Sequence, residues 1–335
     1  MINKTFTILG PSGTGKTCYL LSMYHQMLAG VQGFTLQATD KESDYELYER
    51  YQKLEKKLSS TKNFNFGTDT LNKYEFIAQY YSNPFLRFTW QDYPGGYLES
   101  KTSGDEEAYK SLESSIINSS CLIICVDGSL LTGNDFSEKV ENVQEECSNI
   151  LNPFFSRYMR KNKYLPVIVF LITKYDLCAR WTSQSEINEI IQEAFSSIFL
   201  SNASFDATII PVSINWNSSS AYALSCRKEP YHVELPILVG CLFAVMDEQE
   251  RLSSILEKKG KNKHILPWIA GGFIGGLLGP IGILGAAGAA FASGKMSSKE
   301  TDQLIDLLQQ YDNISDKIIS ILTTNKVLHW YNYEQ

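Results

Sequence analysis

Gly10-Pro11-Ser12-Gly13-Thr14-Gly15-Lys16-Thr17 decides how the rest of the chain is read, because it follows the pattern G-x-x-x-x-G-K-[ST]. Glycines let a backbone wrap closely around a polyphosphate. The N–H groups of Gly10, Ser12, Gly13, Thr14, Gly15, Lys16, Thr17 and Cys18 can then point inward at its oxygens. Lys16 is placed to reach the terminal phosphates, in binding and in catalysis, and the Thr17 hydroxyl to complete the shell of a Mg²⁺ ion. The flanks agree: residues 5–9 read as a buried strand, and 18–28 as a helix whose positive N-terminal end faces the anion. A glycine-rich turn with a surface lysine is the bland alternative, and the strand–loop–helix setting speaks against it. The ligand implied is a nucleoside phosphate.

Composition narrows the partners. At 335 residues there is room for more than one unit, and a net charge of −7 with a pI near 5.3 argues against nucleic acid. The seven cysteines are odd in number and scattered, with no C-x-x-C pair, and the four histidines lack metal spacing. A reduced, cytoplasmic protein without structural zinc is expected. The N-terminus reads as a strand running into the loop rather than as a signal peptide.

Working outward, an insertion spans 31–72 and carries a helix over 41–58, capped by Asp40, with Leu47, Tyr51, Leu54 and Leu58 on one face. Runs 73–81 and 85–91 read as a hairpin split at Asn83-Pro84. A helix over 105–118 precedes the continuous apolar strand 121–127. A long helix follows, with Phe136, Val140, Val143, Cys147 and Ile150 in step and a disturbance at Pro153. Strand 165–172, helix 185–200 and strand 207–212 complete the alternation, and 215–231 reads as a serine-rich linker. The pattern predicts an α/β fold with a mostly parallel sheet wound on both sides and one antiparallel hairpin. Domains are expected at 1–232 and 233–335, the second helical, with a last helix over 299–328 striped by Leu304, Leu308, Tyr311, Ile314, Ile318 and Ile321.

Later motifs choose the base. Asp92-x-x-Gly95 follows a strand, where the carboxylate suits Mg²⁺ through water and the Gly95 N–H suits a γ-phosphate. Thr173-Lys174-Tyr175-Asp176 ends another strand. A carboxylate there can accept two hydrogen bonds from guanine N1 and N2, which adenine cannot offer, and the lysine stem can lie along the base. Ser213, just past the last strand, is placed for the guanine carbonyl. Each motif is weak alone; in order, at the carboxyl ends of successive strands, they make a strong joint signal.

On these residues, 1–215 resembles the Ras-like, translation-factor-related class of phosphate-loop GTPases. The resemblance implies GTP and GDP as ligands with Mg²⁺. Gly10, Gly13, Gly15, Lys16 and Thr17 would serve the phosphates and metal, Asp92 and Gly95 the second switch, and Thr173, Lys174 and Asp176 the guanine. For the first-switch Mg²⁺ ligand it points to Thr68 or Thr70, with Thr68 preferred. Two departures stand out: Thr173 replaces the usual asparagine, and Gly96 stands where the water-orienting glutamine belongs. Slow or partner-dependent hydrolysis is expected, with Tyr97 and Glu99 nearby. The chain is also similar to the GTPases of bacterial conflict and anti-phage clusters, sometimes called double-GTPase systems.

Residues 265–293 carry no charge and place glycines at 272, 276, 279, 282, 285 and 288, a small-residue face that suits close helix approach in a membrane or an oligomer. The stretch is long enough to span a bilayer, and Lys258, Lys259, Lys261 and Lys263 precede it as a cytoplasmic flank would. With Pro280 in mid-segment, a helical hairpin broken near Gly279-Pro280 is as plausible as one span. Two readings stay open: insertion at the inner face of the membrane, or a buried hairpin or homo-oligomer seam. The whole is read as a GTP-binding switch that needs an effector or activating protein. A nucleotide-locked scaffold that does not hydrolyse, and an ATPase, are the alternatives.

Overall fold

A computed structural model of the chain describes residues 1–58, 71–95, 106–161, 165–201, 205–217, 228–258, 299–325 and 331–332. Thr68, Thr70, Gly96, Tyr97, Glu99 and the apolar stretch 265–293 lie outside the described residues. The chain divides into two compact units. One comprises Met1–Cys241 with Leu322–Gln335, the other Leu242–Ile321, against a boundary read near 232.

The first unit is α/β. Strands β1 (Ile2–Leu9), β2 (Phe34–Ala38), β3 (Asn72–Tyr80), β4 (Asn83–Asp92), β5 (Cys121–Asp127), β6 (Val167–Thr173), β7 (Asp206–Pro211) and β10 (Tyr331–Asn332) form one sheet in the order β10-β7-β6-β5-β1-β4-β3-β2. The five strands β4, β1, β5, β6 and β7 run parallel, while β2, β3 and β10 are antiparallel to their neighbours. A second, two-stranded sheet pairs β8 (Ser213–Asn217) with β9 (Lys228–Tyr231). β5 and β6 read as unbroken apolar runs because helices cover both faces, and six of seven residues in β5 and all seven in β6 are buried. Leaving β1, the chain turns first toward β4 and later crosses to β5. The crevice where strand order reverses therefore lies at the carboxyl end of β1, where such sheets bind ligands.

Helix α1 (Lys16–Ala29) starts at Gly15, whose φ of 88° lies in the left-handed region that glycine enters freely. No side chain caps it and no acid sits in its first turn, so its leading N–H groups keep their capacity for an anion. Helix α2 (Lys41–Leu58) buries Leu47 and Leu54, and Asp40 Oδ1 accepts from the Ser43 N–H at 2.7 Å, as the cap predicted. Next come α3 (Glu106–Asn118), α4 (Phe136–Val143), α5 (Asn149–Lys161), the one-turn α6 (Tyr175–Cys178), α7 (Gln184–Ala194) and α8 (Ser196–Phe199). A 3₁₀ turn, Gly128–Leu131, follows β5.

Four local expectations are corrected. The β3–β4 turn sits at Tyr81-Ser82, with φ of 45° and 64°, which matches the strand twist of a primed hairpin turn; Asn83-Pro84 belongs to β4. Pro84 is tolerated because the register shifts between Ala78 and Gln79 opposite it, where a missing N–H costs little. In the long helix the disturbance is a π turn, Gln144–Ser148, that separates α4 from α5 ahead of Pro153. Pro153 cannot donate to the Asn149 carbonyl, and the wide turn just before Asn149 accommodates its ring. Part of the supposed linker 215–231 is the β8–β9 pair. The insertion also adds β2 at the sheet edge.

The second unit is described by stretches of two helices, α9 (Leu235–Lys258) and α10 (Lys299–Thr324). Leu308, Tyr311, Ile314, Ile318 and Ile321 are buried, as the stripe predicted. Gln249 Nε2 donates to Asp312 Oδ1 at 2.5 Å, and burial pushes the Asp312 carboxyl up to about 6. Among the described residues no helix is long and apolar enough to cross a membrane.

Candidate functional site

The motif residues of the first unit come together at the carboxyl edge of β1, β4, β5 and β6. Lys16 is buried at 6% exposure, and its Nζ donates to the carbonyls of Gly10 and Pro11, each at 2.7 Å. The ammonium is thus held across the inside of its own loop, where a polyphosphate would meet it. Thr14 Oγ1 closes the loop by donating to the Pro11 carbonyl at 3.0 Å. Burial pushes the Cys18 thiol up to about 11, so it stays protonated.

Thr17 Oγ1 donates to Asp92 Oδ2 at 3.2 Å, joining residues on α1 and at the end of β4. Both are hard oxygen donors, and Asp92 is fully buried beside a cation-seeking hydroxyl. The pair fits a Mg²⁺ ion that takes most of its other ligands from phosphate and water. Among the described residues no group of three or more acidic, histidine or cysteine side chains could hold a metal by itself.

Gly95 lies against the loop. A Cβ added to it would stand 2.1 Å from the Ser12 nitrogen and 2.5 Å from the Pro11 carbonyl carbon, so no other residue fits there. The D-x-x-G peptide therefore crosses the loop on its Pro11–Ser12 side.

The opposite side of the loop meets β6. Thr173 is 4% exposed, and its hydroxyl contacts two carbonyls, Thr14 O at 2.6 Å and Val126 O at 3.1 Å. Its described contacts tie the 10–17 loop to β5 and β6. Lys174 adopts a left-handed φ of 50° and its Nζ pairs with Asp127 Oδ2. Asp127 also accepts from the N–H and hydroxyl of Ser129, at 2.9 and 2.8 Å. Ser213 is 1% exposed and its hydroxyl donates to Asp176 Oδ1 at 2.5 Å. The two residues named for the base edge, separated by β7, are thereby in direct contact.

Three participants were missed. Asp127 ends an apolar strand at the same edge, a signal that could have been used; nothing in the sequence marks Tyr175 and Tyr231 as partners. Tyr231 is opposite Ser213 in the β8–β9 register and stacks on Tyr175 at 5.9 Å between ring centroids. His232 stacks on Tyr231 at 3.7 Å, and burial pushes its imidazole down to about 4, leaving it neutral at ordinary pH.

A cavity of about 60 Å³ beside the loop is lined by Pro11, Ser12, Thr14, Asp127, Leu130, Glu146 and Cys147.

No protein-family model matches the chain, and no curated protein is significantly similar to it.

Proposed function

We propose that this chain is a guanine-nucleotide switch, a phosphate-loop GTPase of the Ras-like, translation-factor-related class. The observation that carries the reading is the pairing of Asp176 with Ser213 on the same sheet edge as the Thr17–Asp92 pair. Four segments far apart in sequence would thus supply a base-reading carboxylate and an oxygen pair for the metal. An ATPase makes no use of Asp176, because adenine offers no paired donors to a carboxylate. Thr17 and Asp92 would hold Mg²⁺, which supplies charge neutralisation of the phosphates. Lys16 would bind their oxygens from inside the loop.

Hydrolysis would be slow or partner-dependent, since Gly96 has no side chain to orient water. The nucleotide state would govern the C-terminal helical module and its stretch 265–293, by docking an effector, by self-association or by engaging a membrane, in a bacterial defence setting. Chromatography of nucleotide released from the purified chain, with displacement of a fluorescent guanine nucleotide by GTP, GDP and ATP, tests the core of the reading. GTP or GDP should be recovered and should compete, while ATP should not. Equal competition by ATP would refute guanine selectivity. Liposome flotation of the GTP- and GDP-loaded protein tests the membrane branch.

A further inference from the structure

Tyr93 is the first variable residue of Asp92-Tyr93-Pro94-Gly95, and the pattern assigns it no task. Its side chain is nonetheless 1% exposed and belongs to the core cluster that also holds Leu112 and Ile116 of α3. Its Oη shares a 2.5 Å hydrogen bond with Ser115 Oγ. The contact continues through α3 into the sheet. Ser119 Oγ donates to the Ser115 carbonyl at 2.6 Å and lies 2.5 Å from Thr7 Oγ1 on β1.

Three of these hydroxyl residues, Thr7, Ser115 and Ser119, are themselves buried. A phenol in such a place would ordinarily be a phenylalanine unless its hydroxyl had a partner worth keeping. Two residues on, Gly95 has its backbone pressed on the Pro11–Ser12 peptide, with Pro94 limiting the freedom between. Where Tyr93 is fixed therefore determines where the Gly95 N–H stands.

We infer that Tyr93, latched to Ser115, is a positioning residue that sets the Gly95 peptide against the far end of the bound polyphosphate. The inference rests on the guanine-nucleotide reading above. The loop has two ends: Thr14 is tied to Thr173 on the base side, and Ser12 meets Gly95 on the other. Only a tail long enough to pass Ser12 reaches the latched peptide. The latch thus serves the triphosphate and leaves the diphosphate unaffected.

The test uses the full chain with Mg²⁺, measuring Kd for a non-hydrolysable GTP analogue and for GDP. Tyr93→Phe keeps the ring and loses the hydroxyl; Ser115→Ala removes the partner. Each should weaken the analogue about fivefold, the effect of one hydrogen bond, while GDP changes less than twofold. The double variant should be no worse than either single one, because both remove the same bond. Equal weakening of both nucleotides, no weakening of the analogue, or additive losses would each overturn the latch. A folded wild-type chain that binds neither nucleotide would instead overturn the reading beneath it.

Discussion

The two ends of the site are built from different materials. At the base end, side chains grip one another: Asp176 with Ser213, Lys174 with Asp127, Tyr231 on Tyr175. At the phosphate end the fit is mostly backbone: Lys16 curls onto its own loop carbonyls, and Gly95 touches Pro11–Ser12 through main chain alone. Side-chain recognition discriminates between ligands that differ by a few polar atoms. Backbone recognition suits an anion common to all of them and leaves room for a peptide to move with the length of the tail. On the proposed reading, one end would choose the base and the other would register the phosphates.

That contrast can be broken one residue at a time. The largest effect is expected at the shared anion contact. Lys16→Ala should weaken GTP and GDP alike, on the order of a hundredfold, as loss of a charged donor requires. Calorimetric titration would show it, and a melting curve should remain cooperative. Gly95→Ala comes next. A methyl group 2.1 Å from a backbone nitrogen forces the peptide off the loop, costing the triphosphate analogue roughly tenfold while sparing GDP. Parallel loss of both nucleotides would erase the proposed division of labour.

Smaller effects follow between the two ends. Thr173→Ala removes the hydroxyl that contacts Thr14 and Val126 and should weaken all guanine nucleotides about fivefold. Because the contact is to the loop and not to a base, the GTP-to-ATP preference should survive, as competition binding would report. Tyr231→Ala should have the mildest consequence, about threefold on affinity, through loss of the ring pair beside Ser213. Here the GTP-to-ATP preference should fall, which separates a base-end wall from a loop support.

How far the sequence reached follows the same division. The strand–loop–helix setting of residues 10–17, the α2 cap at Asp40 and the burial of β5 and β6 were legible, because each rests on local patterns of glycine, capping side chain or continuous apolarity. That Thr17 and Asp92, and Asp176 and Ser213, gather at one sheet edge followed from placing each motif at a strand end; their direct contacts did not. What escaped depends on pairing across distance. Asp127, Tyr231 and Ser115 acquire roles only from what the fold sets opposite them. The polar, serine-rich composition of 215–231 hid β8 and β9, whose pairing depends on register with each other. Pro84 looked like a turn because its tolerance rests on a register shift that shows only once β3 and β4 are paired. The π turn was displaced from Pro153 because a proline disturbs the carbonyl one turn before it.

Guanine recognition by Asp176 is tested most directly by exchanging one atom set. In Asp176→Asn the amide can donate to the 2-carbonyl of xanthine, and it no longer accepts both guanine donors. Competition of GTP and xanthosine triphosphate against a fluorescent nucleotide, on wild type and variant side by side, reads this as a crossover. The variant should lose GTP by on the order of a hundredfold and prefer xanthosine triphosphate. Undiminished GTP binding by a folded Asp176→Asn chain would show that this carboxylate does not read the base.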